Sequence, residues 1–87
     1  MFATIKGLEL KLNQQIEYFN INLQVLNGEL DNPNGYSRDY ILGVMTSQVK
    51  GIHSLVDRIK EQSNNAKLIA KCEQKVADVS DRFNSIP

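Results

Sequence analysis

Apolar and polar positions repeat at helical spacing along most of this chain, with two interruptions. Between Thr4 and Leu30 apolar side chains fall at Ile5, Leu8, Leu12, Ile16, Phe19, Leu23, Leu26 and Leu30. Every step is three or four residues, which lines one face of an α-helix and does not fit the alternation of a strand. The start of this helix is weakly marked, because Gly7 lowers helix stability and Lys6 opposes the dipole. Its end is clearer: Asn27-Gly28 is a good C-terminal pair, with one further turn to Leu30 possible.

The first interruption is Leu30-Asp31-Asn32-Pro33-Asn34-Gly35-Tyr36-Ser37. Pro33 lacks a backbone N–H and holds Asn32 extended, so no helix runs through it. Asn34-Gly35 tolerates the positive φ angles of a reversal. Ser37 can cap the next helix, with Asp39 in its first turn facing the positive end of the dipole. The chain is therefore expected to fold back on itself at Pro33.

Beyond the turn, Leu42, Met45, Val49, Ile52, Val56 and Ile59 alternate steps of three and four, a heptad-grade seam. Ile41, Val44 and Leu55 widen it, as suits a central helix that touches two neighbours. Gly43 and Gly51 each cost about 1 kcal/mol relative to Ala in a helix interior. They are either tolerated or present because another helix backbone comes close. A third seam, Ile69, Cys72, Val76, Val79, Phe83 and Ile86, follows without an intervening Gly or Pro. A single helix from Ser37 to Asn84 would be about 70 Å long at 1.5 Å per residue. The phase opposes it, because the second seam continues to Ser63, Ala66 and Ala70, whereas the third begins at Ile69. The seam thus turns by about 100° across Ser63-Asn64-Asn65, residues that make poor helix and good caps. The expected fold is all-α: one domain over 1–87, an antiparallel helical hairpin plus a third helix in a three-helix bundle with coiled-coil-like packing, the helices covering about 4–28, 37–62 and 66–84.

A second apolar set on the first helix, Leu10, Tyr18, Ile21 and Val25, lies roughly opposite the main stripe. A simple hairpin buries only one of these faces. The other is left for the third helix of the same chain, or for a partner protein or second copy. Tyr36 and Tyr40, one helical turn apart at the hairpin end, either join such a binding surface or close the end of the core.

Composition narrows the function classes. The 41% hydrophobic and 23% charged residues suit a globular chain rather than a disordered one. Ten Lys+Arg against ten Asp+Glu leave no net field to recruit nucleic acid or anionic lipid. No apolar run reaches the length of a membrane span or signal-peptide core, so the expected location is cytoplasmic. A single cysteine, Cys72, excludes an internal disulfide and a multi-cysteine metal site, and its place on the third seam predicts a buried, inert thiol.

The chemistry-bearing residues point away from catalysis. His53 has Asp57 one turn away but no nucleophile beside it in sequence, since the adjacent Ser54 faces elsewhere on a helix. No Gly-rich phosphate loop follows a strand, and the carboxylates lack the paired spacing of di-metal bundles. Neither a cofactor nor a metal is expected. Lys60, Lys67, Lys71 and Lys75 recur on the third segment and its approach, the last three at every fourth residue. This row makes Lys67, Lys71 and Lys75 a candidate anion-binding face, although Glu73, Asp78 and Asp81 intersperse it and no aromatic residue stands between the lysines to stack a base.

The stretch Asn27-Gly28-Glu29-Leu30-Asp31-Asn32-Pro33-Asn34-Gly35-Tyr36 resembles the hairpin of the needle-subunit co-chaperones of type III secretion systems, and the apolar spacing of Ile41 to Ile59 resembles their second arm. The resemblance covers about residues 12–63; the segment after Ser63 is an additional helix those chaperones generally lack. It implies pairing with a second chaperone to keep the needle subunit monomeric, with no catalytic residue carried over. The sequence thus predicts a non-enzymatic module that binds another protein, or itself, through Leu10, Tyr18, Ile21 and Val25, with Tyr36 and Tyr40 at its edge. The alternative is an oligomeric small-ligand-binding or phage-type inhibitor protein with a pocket between helices, lined by lysines and tyrosines.

Overall fold

The computed structural model describes residues 4–87. They form three α-helices, α1 (Ile5–Leu26), α2 (Arg38–Gln62) and α3 (Ala66–Asn84), packed as an all-α bundle. Each boundary has a side-chain or backbone cause. Thr4 caps α1, its Oγ1 accepting the Gly7 N–H at 2.9 Å. The start is therefore better defined than Gly7 and Lys6 suggest. At the other end Gly28 takes φ 77°, its N–H bonds the Val25 carbonyl, and the Glu29 N–H reaches back to the Gln24 carbonyl at 2.8 Å. This Schellman arrangement satisfies the last carbonyls and turns the chain away. Leu30 consequently lies outside the helix and is exposed, so the expected apolar stripe stops one member short, at Leu26.

The turn is built around Asn32. Its carbonyl accepts the Gly35 N–H at 3.0 Å, closing Asn32-Pro33-Asn34-Gly35, and Gly35 takes φ 64°. Its side chain holds both backbone groups of Tyr36: Oδ1 accepts the N–H at 3.2 Å and Nδ2 donates to the carbonyl at 2.8 Å. Ser37 then caps α2, accepting the Tyr40 N–H, with Asp39 in the first turn. The break at 63–65 falls where the phase jump predicts it. Asn65 caps α3 by accepting the Leu68 N–H at 3.2 Å, and Ser63, buried at the end of the second seam, accepts the Asn65 N–H.

α1 and α2 run antiparallel, with Asn22 donating to Gln48 between them at 3.1 Å. α3 returns beside α2, where Lys60 pairs with Glu73 at 3.1 Å near the connection and His53 meets Ser80 at 3.1 Å further along. Against α1 it runs parallel: Lys75 donates to Asn13 and Arg82 to Asn20, both pairs 62 residues apart in sequence. The core between the three is Leu8, Leu12 and Phe19 of α1, Ile41, Met45, Ile52, Val56 and Ile59 of α2, and Cys72 and Val79 of α3. Phe83 closes it edge-on against Phe19, with ring centroids 6.3 Å apart. α2 supplies half of these side chains, as its wide seam implies.

Candidate functional site

α3 settles on the flank of α1 that carries Asn13 and Asn20, not on the opposite face. The second apolar set is thereby left without cover: Leu10 is 63% exposed, Tyr18 48% and Ile21 41%. Val25 behaves differently. It is half-buried against the core and borders a hollow with Leu26, Asn32, Tyr36, Arg38 and Ile41, so it belongs to the edge of this surface rather than its middle. Tyr36 and Tyr40 do not close the core. Their rings stack on each other with centroids 4.8 Å apart and stay about half exposed, next to the Val25 hollow.

On the same side of the molecule, away from α3, the α1–α2 seam opens into a groove of about 520 Å³. Lys11, Gln14 and Gln15 of α1 form one wall and Gly51, Ser54, Leu55 and Arg58 of α2 the other. Gln14 stands one turn from both Leu10 and Tyr18, so the groove and the exposed apolar face are continuous on α1. A side chain grafted onto Gly51 would meet nothing within 4 Å, and the same holds for Gly43. Neither glycine marks a close approach of helices; Gly51 opens the groove. No carboxylate lines it, and neither Lys11 nor Arg58 forms an ion pair among the described residues.

The lysine row does not survive as a single face. Lys75 is tied to Asn13 at 2.8 Å, and Lys60 is paired with Glu73, leaving Lys67 and Lys71 exposed near the start of α3. Because α3 runs back toward the hairpin turn, these two lysines lie at the end of the bundle remote from Tyr36 and Tyr40. The lysines and tyrosines of the expected ligand pocket are thus not brought together within one chain.

Two groups with possible reactivity are placed structurally. The nucleophile that sequence reading did not find beside His53 is supplied across the helix interface: Ser80 Oγ lies 3.1 Å from its Nε2. The contact ties α2 to α3. Cys72 is 2% exposed; burial pushes its thiol up from the ordinary value, with Glu9 adding to the rise and Lys75 and Lys71 opposing it. No group of three or more His, Cys, Asp or Glu side chains among the described residues is placed to hold a metal ion, and no helix among them is long and apolar enough to cross a membrane.

No protein-family model, curated protein or solved structure matches this chain. The residues missed by sequence reading are Lys11 and Arg58. Lys11 lies on α1 and Arg58 on α2, so only the packing of the hairpin brings them to one groove.

Proposed function

We propose that this protein is a non-enzymatic binding module that takes a partner protein on the uncovered face of α1. One observation carries the reading: Leu10, Tyr18 and Ile21 share one helix face and stay 41–63% exposed after both other helices have packed. Burying a large apolar side chain contributes about 1.5–3 kcal/mol, so three such residues supply enough for specific association once a partner helix covers them. Tyr18 adds an amphipathic ring of the kind that anchors interfaces. Chaperone, adaptor and inhibitor roles all use such a face. The resemblance of residues 12–63 to needle-subunit co-chaperones favours the first, with an aggregation-prone helix of a client as the covered surface and a cytoplasmic setting.

Ile21→Asp tests the reading. Ile21 is outside the core, so the variant is expected to fold with unchanged helical circular dichroism. Binding to the partner, measured side by side with the parent, should drop for the variant. A folded Ile21→Asp protein with the parent's binding contradicts the proposal.

A further inference from the structure

We infer that the partner is an acidic amphipathic helix, its apolar stripe on Leu10, Tyr18 and Ile21 and its carboxylates in the adjoining groove at Lys11 and Arg58. The inference rests on the binding reading above and names the chemistry of what binds.

The continuity of the two surfaces comes first. Leu10, Gln14 and Tyr18 succeed one another at four-residue steps, and Ile21 follows at three, so one straight α1 edge presents apolar side chains with a groove-lining amide among them. Exposed Glu17, one turn before Ile21, borders this edge on the side away from the groove and leaves the flank toward α2 as the cationic one. A helix lying along this edge covers about 16 Å from Leu10 to Ile21, three turns at 1.5 Å per residue. Its flank toward α2 then overhangs the groove. There it meets Lys11 from one wall and Arg58 from the other, with Gln14, Gln15 and Ser54 as further donors.

Charge selects among occupants. Both ionised groups of the groove are cations, and the ion pairs formed elsewhere in the described residues, Lys60–Glu73 and Arg82–Asp78, involve neither. In a chain of zero net charge this patch is a local asymmetry rather than part of a basic surface. Carboxylates on the flank of an incoming helix satisfy it, Arg58 offering a bidentate fork and Lys11 a point charge. A second copy of this chain docking groove to groove would instead set Lys11 and Arg58 against their own counterparts, and like charges at an interface are penalised. Gly51 leaves the α2 wall of the groove without a side chain, at a position where a Cβ would meet nothing within 4 Å.

Two synthetic helical peptides with the same apolar stripe, one flanked by Glu and one by Lys, test this on the full chain by fluorescence anisotropy. The Glu peptide should bind about ten-fold tighter or better, with the gap narrowing as salt rises. In a Lys11→Glu/Arg58→Glu double variant, both positions being exposed and outside the core, the preference should reverse. Equal binding of the two peptides overturns the acidic partner while leaving the binding face intact; binding of neither overturns both. A dimer in light scattering that Ile21→Asp dissociates would make the occupant a second copy and overturn the inference.

Discussion

Asn32 shows how much of the hairpin rests on one side chain. Its amide bonds both the N–H and the carbonyl of Tyr36, a clasp that a turn-forming residue without an amide cannot supply. Asn32→Ala should lower stability by about 1 kcal/mol, read as an earlier midpoint in urea with unchanged slope, whereas Asn34→Ala, which breaks only a long contact to the Tyr36 hydroxyl, should cost less. Gly43 gives the opposite sign. It is an exposed helix-interior position with open space where a Cβ would stand, so Gly43→Ala should raise stability by about 1 kcal/mol in the same assay. Cys72 links burial to pH. Its thiol is held above the ordinary value of 9.0, so the folded state keeps the proton that the unfolded chain releases. That contribution is complete below the unfolded value and is lost as pH climbs through the folded one. Stability should therefore fall in the alkaline range for the parent and fall less for Cys72→Ala once its own packing cost is subtracted; equal slopes would show that Cys72 does not carry the effect.

At the scale of the helices, the two interruptions and the course of the three seams were legible because breakers, caps and periodicity are local properties. Pro33, Gly28, Ser37 and Asn65 each act through the backbone within a few residues of themselves. Two seams nevertheless start one residue earlier than their spacing suggests, Ile41 and not Leu42 joining the core in α2 and Leu68 and not Ile69 in α3. The side on which α3 docks was not legible from periodicity, since α1 offered two apolar faces and either could have received it. The deciding signal is polar. Asn13 and Asn20 on α1 repeat at the spacing of Lys75 and Arg82 on α3, and the two pairs meet in register. Arg82 also lies over the Phe19 ring, which adds a second contact between α3 and α1. The same docking splits the lysine row, a consequence that no pattern within α3 alone reveals. α3 fully buries only Cys72 and Val79, against five side chains of α2. Its amides should therefore exchange with deuterium sooner than those of the middle of α2, and Arg82→Ala should widen the difference. Equal protection of α2 and α3 would show that α3 is bound as firmly as the hairpin itself.

The whole molecule is a flat body rather than a rounded one. It extends 43 × 28 × 18 Å with a radius of gyration of 14.2 Å, against about 12 Å for a compact chain of this length. Its longest dimension is set by α2, and its least is close to two helix layers. In so thin a body a two-sided helix cannot bury both faces, which is why Leu10, Tyr18 and Ile21 remain in solvent although the bundle is complete. The binding reading follows from that geometry. The direct measurement is site-specific photocrosslinking in cells, with a photoreactive phenylalanine at position 21 and, as control, at Lys67 on α3, an exposed position off this face. A discrete adduct formed from position 21 and absent from position 67 is the result predicted here; no adduct at position 21 above the level of position 67 would contradict a binding face on α1.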